Sequence, residues 1–394
     1  MGWQTKSVME QKLLFIKMLQ SGDYTMTAIC DRFGISRTTG HKLAKRFEEE
    51  GESCLRESSK APRSTPHKTP QKMENAVIKL RKKYPDWGAR KLRVLLENKN
   101  LKEKIPSETT ISAILKRNDL IKPNRRRNPK EGKLYPKFDP CQPNEIWSAG
   151  YKGKFKIGNK RYCWPLTICD SNSRIILDIR CHYKPDYKSV KQAYIGVFRE
   201  YGLPQFMHTD NGTPFGSMRS PCRFSQLCYW LIDQGITPMF SDPASPQQNG
   251  RHERMHKDLK AYCRHRIQNT LSKQQKVMDE FVMEYNTIRP HESLNMKTPN
   301  DIHSKSNRQY SEKKIPYDYP LHYKVTKVCI NGAARWGAYN WLFISRAARG
   351  RYIAAEETSN GIWNVYYRDV LLGYIDEKLI DKQETYLHIQ KIKV

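Results

Sequence analysis

The sequence predicts a multidomain protein: two all-α helix-turn-helix units, then a mixed α/β domain, then a small all-β domain. Three observations carry this reading. Residues 8–50 and 71–121 place apolar side chains at helical spacing around short turns; residues 144–305 alternate strand-like runs with helices; from residue 318 only short strand-like runs and turns remain. With 394 residues, the chain is long enough for several cores.

The first unit, residues 1–57, carries its periodicity on Leu13, Leu14, Ile16, Met18 and Leu19, then Ala28, Ile29 and Phe33, then Leu43, Ala44 and Phe47. Gly34-Ile35-Ser36 supplies a tight turn and an N-cap for the third helix. That helix would present Arg37, Thr38, Thr39, His41, Lys42, Lys45 and Arg46, donors suited to phosphates and base edges. Residues 58–70 are rich in Pro, Ser and Lys and read as a linker. A second helix-turn-helix-like unit spans 71–121, with Ser107 opening its last helix and Arg90 and Lys91 as candidate DNA contacts. Residues 122–143 are basic and broken by prolines, which suits an arm lying along phosphates through Arg125, Arg126 and Arg127.

Within 144–305 the expected order is βββ-α-β-α-β-α: strands over 146–155, 162–169 and 174–181, a helix over 188–201, a strand running up to Asp210, a helix near 224–234, a strand over 237–240, and a long helix carrying Glu253. Ser245-Pro246-Gln247-Gln248 has the form of a capping box, and Asn249-Gly250 would delay the helix to about Gly250. In the small domain, 318–378, strands are expected over 323–330, 341–344, 352–356, 363–367 and 370–375, closing as a small barrel.

Composition points to the partner. Lys and Arg number 70 against 40 Asp and Glu, a net charge of +30, which calls for a polyanion such as double-stranded DNA. The ten cysteines form no Cys-x-x-Cys pair and read as reduced residues of a cytoplasmic protein. Neither a secretory leader nor a run of apolar residues long enough to span a membrane is legible.

Asp210 at a strand end and Glu253 on a helix are the candidate catalytic carboxylates. Phosphodiester chemistry of this class uses two divalent cations about 3.5–4 Å apart, and carboxylates are the natural hard ligands for them. Lys257 and Lys260 follow Glu253 at helical spacing on the same face, and Arg251 and His256 join them as candidate DNA contacts. A rival reading comes from His252-Glu253-Arg254-Met255-His256, which has the His-Glu-x-x-His spacing of zinc metalloproteases. It leaves the charge, the helix-turn-helix units and Asp210 unexplained.

Four further runs share one source: Asn144-Glu145-x-Trp147, Thr209-Asp210-Asn211-Gly212, Pro246-Gln247-Gln248-Asn249-Gly250 before Glu253, and Tyr285-Asn286-x-x-Arg289-Pro290-His291. With them the chain resembles the integrase and insertion-sequence transposase superfamily, and its flanking domains are similar to those of one bacterial branch. The resemblance implies an RNase H-like integrase core, an Asp-Asp-Glu triad holding Mg²⁺ or Mn²⁺ through Asp210 and Glu253, and cleavage and strand transfer of DNA. It also implies transposon ends and target DNA as partners, a homo-oligomer on DNA, and a place at the bacterial nucleoid. One position departs from the pattern: Gly150 stands where the first Asp is expected, which predicts poor metal binding and impaired catalysis. Asp170, in an Asp-x-x-Ser-Arg setting with Ser173 and Arg174, matches a non-triad feature. A transposase-derived DNA-binding protein without catalysis is the alternative.

Overall fold

The computed structural model describes residues 7–55, 68–99, 104–121, 139–217, 220, 222–241, 249–313, 315–337, 340–379 and 386–390. Most of the linker, the basic arm with Arg125, Arg126 and Arg127, and Ser245 to Gln248 lie outside the described residues. The chain divides into two compact units, residues 1–70 and 71–394.

The first unit is three helices, α1 (Val8–Gln20), α2 (Met26–Phe33) and α3 (Arg37–Glu50). Each start is capped by a hydroxyl: Ser7 with Glu10 in a capping box, Thr25, and Ser36, whose side chain accepts from the Thr39 N–H. Gly34 ends α2 at φ 64°, a left-handed conformation that glycine adopts without strain. Phe15, Ile16, Ile29, Cys30, Cys54 and Leu55 make the core. Helix α3 packs on it at backbone contact, since a Cβ at Gly40 would lie 2.5 Å from Cys30 Sγ and 3.1 Å from the Phe15 ring. In an open helix Gly→Ala stabilises by about 1 kcal/mol. At Gly40 the forced overlap outweighs this, because overpacking a filled core costs about 1–3 kcal/mol. Gly40→Ala is therefore expected to lower the unfolding midpoint of this unit in a thermal melt.

The second unit opens with α4 (Gln71–Lys83), α5 (Ala89–Glu97) and α6 (Glu108–Arg117). They close around Met73, Val77, Trp87, Leu92, Ile111 and Ile114, and Ser107 caps α6 as expected. Arg81 ties the bundle by donating to the carbonyls of Leu120 and Trp87.

The central domain contains β1 (Ile146–Tyr151), β2 (Phe155–Lys156), β3 (Tyr162–Asp170), β4 (Ile176–His182), α7 (Tyr187–Tyr201), β5 (Phe206–Thr209), α8 (Gln226–Asp233), β6 (Thr237–Phe240), α9 (Gly250–Cys263), α10 (Leu271–Thr287) and the short α11 (Pro299–Ile302). The sheet order is β2-β3-β1-β5-β6 with β4 outside β3. Strand β1 runs antiparallel to β3 and parallel to β5, which makes the sheet mixed. One face packs Trp147, Leu166 and Met207 on α7 and α8; the other packs Cys163, Cys169 and Ile179 on α9 and α10. Helices on both faces of a mixed sheet with this order are the RNase H-like integrase architecture.

Two expectations need correction here. The single strand over 146–155 is broken between Tyr151 and Phe155, where Gly153 turns the chain at φ 98°. The strand expected to start at Arg174 starts at Ile176, since Arg174 sits in the turn at φ 65°.

The C-terminal domain is a four-stranded sheet, ordered β12-β11-β10-β7, beside a three-stranded one, β13-β9-β8. In chain order these are β7 (Lys324–Lys327), β8 (Ala333–Arg335), β9 (Trp341–Phe343), β10 (Tyr352–Ser359), β11 (Ile362–Tyr367), β12 (Val370–Asp376) and β13 (Tyr386–His388). Strands β8 and β13 were not expected: each has three residues, too short for a period to register. This domain shares one core with α8, where Tyr229 meets Tyr367 and the Asp233 carboxylate accepts from Arg351 at 2.9 Å and from the Tyr367 hydroxyl.

Candidate active site

The strands decide which residues can converge. Along the parallel pair, Ser148 lies opposite His208. Gly150 lies two residues further along β1 on the same face of the sheet as Ser148, and Asp210 is the first residue past the end of β5. Helix α9 covers that face: the nearest heavy atom to a Cβ built at Gly150 is His252 Nε2, at 3.8 Å, and His252 precedes Glu253. The positions of the expected triad thus sit on β1, just beyond β5, and on α9.

Asp210 is exposed, and its Oδ1 accepts from the Gly212 N–H at 3.1 Å. The enclosing loop partly desolvates the carboxylate and raises its pKa, while the Gly212 bond pulls the other way. Glu253 is exposed in the first turn of α9.

Beneath Gly150 lies a hub that the sequence reading missed. Thr167 pairs with Gly150 across β1 and β3, and its hydroxyl donates to the Gly150 carbonyl at 2.9 Å. With its hydrogen so committed, the same oxygen accepts from Nε2 of both His252 and His256, each at 2.7 Å. One hydroxyl therefore joins β1, β3 and α9. Burial keeps the rings neutral: the pKa of His252 is driven well down, and that of His256 falls to about 4. His208, buried beside them and bonded to Ser241 at 3.0 Å, also falls to about 4. The four-residue spacing of His252 and His256 was legible, but it serves Thr167. Their Nε2 atoms carry protons committed to that hydroxyl, which is not the presentation of a zinc pair. The ring of His256, expected to meet DNA, bonds Thr167 instead of pointing wholly to solvent.

The resemblance implies a pair of divalent cations, and the donor set can be tested against it. Asp210 and Glu253 supply carboxylates; Gly150 supplies no ligand, and the nearest side chains behind it are the hydrogen-bonded Thr167 and His252. Among the described residues no three His, Cys, Asp or Glu side chains are grouped to hold an ion. These residues do not fit a bridged metal pair. Asp170 does not fill the gap, since its side chain is fully buried and its backbone lies opposite Trp147, three residues back along β1 from Gly150.

The remaining expected contacts divide. On α3, Arg37, Thr38, His41, Lys42 and Lys45 are exposed; Thr39 spends its hydroxyl on Ser36, 2.8 Å away, and Arg46 lies 3.7 Å from Glu50. Lys257 and Lys260 are exposed on α9. Arg251 donates to the Ser171 carbonyl and pairs with Asp139. Arg90 lies between Glu108 at 3.0 Å and Glu292 at 3.5 Å, and Lys91 is half-buried with its pKa lowered to about 8 by burial and by Arg289. Arg90 and Lys91 thus face the central domain, a role that their charge alone does not distinguish from DNA contact.

Comparison with known proteins bears on the fold and the family. Two family models described as integrase core domain match residues 140–246 and 234–299, and two described as homeodomain-like domain match 7–56 and 39–115. The chain is 26% identical over 185 residues to the insertion element IS407 uncharacterized 31.7 kDa protein of Burkholderia multivorans, covering 46% of this chain and 64% of that one. It is 25% identical over 212 residues to the insertion element IS476 uncharacterized 39.2 kDa protein of Xanthomonas euvesicatoria, covering 51% and 57%. The chain thus spans about three fifths of the length of these curated relatives. Among solved structures, the HTLV-2 integrase catalytic core domain in complex with magnesium is 19% identical, covering 42% of this chain and 99% of that chain with a TM-score of 0.31. The simian T-cell lymphotropic virus intasome is 15% identical, covering 75% and 97% with a TM-score of 0.37. These scores are low, and the fold rests on the sheet order described above.

Proposed function

We propose that this chain, which belongs to the integrase-core insertion-sequence transposases, binds the terminal repeats of its element and performs little cleavage or strand transfer of its own. The observation that carries the second half is the glycine at position 150, on β1 beneath α9. Position 150 has room for a Cβ and carries no side chain, so the donor set stops at Asp210 and Glu253. Without a third hard ligand, a pair of divalent cations is not held. Asp210 and Glu253 would hold such an ion only weakly, and no reaction step is assigned to it.

The first half is supported by the exposed donors on α3, by Lys257 and Lys260 beside the carboxylates, and by the net charge of +30. Arg37, His41, Lys42 and Lys45 would meet the element end, and the basic arm would lie along phosphates. The protein would act on DNA as a homo-oligomer in the bacterial cytoplasm.

Electrophoretic mobility shift with duplexes from the ends of the element tests the binding. End-containing duplex is expected to bind at least about tenfold more tightly than unrelated duplex, with an affinity that falls steeply as salt rises. Equal affinity for the two would remove the assignment of sequence-specific end recognition.

A further inference from the structure

Two runs in the central domain take no part in the carboxylate site: Asp170-x-x-Ser173-Arg174 and Tyr285-Asn286-x-x-Arg289-Pro290-His291. Both reach one cavity of about 540 Å³, whose walls include Ser148, Arg174, Arg251, Arg254, Tyr285 and His291. It adjoins the candidate active site on every side that matters. Ser148 lies two residues before Gly150 on β1, and Arg251 and Arg254 flank Glu253 on α9.

Its chemistry is cationic. The guanidinium groups of Arg174, Arg251 and Arg254 face one carboxylate in the lining, that of Asp139, which is already paired with Arg251. Arg174 makes no ion pair among the described residues, and its buried Nε–H has no hydrogen-bond partner. His291, only 8% exposed, likewise leaves Nε2 without a partner in the wall. Leaving a buried donor or acceptor unmade costs about 1–3 kcal/mol, so a wall with one of each points to something that completes them. Helix α9 also begins at this cavity, and Asn249 provides no side-chain cap for its first turn.

A folding role accounts for part of the set. Arg251 staples the β3–β4 turn through the Ser171 carbonyl, and Asp258 pairs at 2.6 Å with Arg289, whose Nε–H stays unpartnered, and lies 4.0 Å from Arg254. It does not account for Arg174. A planar guanidinium with a free Nε–H, beside two others, is suited to oxyanions.

We propose that this cavity is an oxyanion subsite that holds a backbone phosphate of bound DNA next to the Asp210 and Glu253 carboxylates. Arg174 meets the phosphate from the wall, Arg251 and Arg254 meet it from α9, and a water on the phosphate donates to His291 Nε2. The inference rests on the DNA-binding reading above and assigns a role in it to Arg174 and His291.

The test uses the full chain and two probes, a DNA duplex and inorganic phosphate. Arg254→Gln removes a largely exposed cation and leaves the fold intact; Arg174→Lys keeps the charge and removes the Nε–H and the planar fork; Lys276→Gln, exposed on α10, controls for the loss of one charge. Both cavity variants are expected to weaken duplex binding several-fold more than the control. Arg254→Gln should also reduce the slope of log K against log salt by about 0.9, the share of one phosphate contact. At constant ionic strength, phosphate in place of chloride should raise the unfolding midpoint of the parent but not of either cavity variant. If both variants bind duplex as the control does, while phosphate protection is lost, the cavity takes a free phosphate and its assignment to DNA is overturned. If neither probe distinguishes parent from variants, the subsite is overturned altogether. A parent that binds no duplex refutes the transposase reading, and the phosphate arm then decides alone whether the cavity takes an oxyanion.

Discussion

Gly150→Asp is expected to raise metal-dependent joining of DNA ends by about a thousandfold, the equivalent of about 4 kcal/mol of barrier. The expectation starts from β1, which sets position 150 on the face covered by α9, with Asp210 just past the end of the neighbouring β5. A Cβ there meets nothing closer than 3.8 Å, an ordinary van der Waals contact. Position 150 is also absent from the residues with positive φ, so an aspartate adopts the existing strand conformation without strain. The added carboxylate changes the donor set from two to three hard ligands and leaves the α3 surface alone. Duplex binding should therefore stay constant while joining rises and Mn²⁺ binding, read by calorimetry without DNA, tightens. Vigorous joining by the Gly150 form, unimproved by the substitution, would refute the place assigned to the first ligand.

Much of this could be read before the coordinates, and the misses share a cause. Hydroxyl caps, apolar spacing and Gly or Pro stops are local signals, so α1 to α9 and most strands of the central sheet fall near their expected places. Asp210, Glu253 and the deficient position 150 were legible because each stands in a run of distinctive neighbours. Thr167 was not: nothing beside it in the chain marks it, and its role exists only once β3 pairs with β1 and α9 descends on both. The packing of His256 and Lys91 was hidden for the same reason. A basic or imidazole side chain on a helix looks alike from the sequence whether the helix turns it to solvent or to a neighbour. Arg174 and His291 sit 117 positions apart, and no period along the chain could have put them in one wall.

Asp170 is the other carboxylate a reader of the sequence would nominate for the missing ligand, and its substitution is expected to unfold the central domain before it alters metal binding. Its Oδ2 accepts from the Ser173 hydroxyl at 2.7 Å and from His303 Nδ1 at 3.3 Å, while Oδ1 accepts from the Asn172 N–H at 3.0 Å. The Asn144 N–H approaches Oδ2 at 3.4 Å, and Asn144 in turn accepts from Trp147 Nε1 and donates to the Ser304 carbonyl. One fully buried carboxylate therefore clamps the entry to β1, the β3–β4 turn and the end of α11. Asp170→Ala leaves those donors unpaired in the interior, at a cost of about 3–5 kcal/mol. Asp170→Asn keeps one acceptor oxygen but turns an amide toward existing donors, so its cost is smaller, about 1–3 kcal/mol. Three strand residues separate Asp170 from the level of Gly150, ~10 Å along β1. Both oxygens are also already taken by the clamp. Urea unfolding should thus show a lowered midpoint for both variants, and folded Asp170→Asn should bind Mn²⁺ as the parent does. A variant that keeps the parent's stability and loses its residual metal binding would instead make Asp170 the third ligand, and Gly150 would cease to explain any loss of activity.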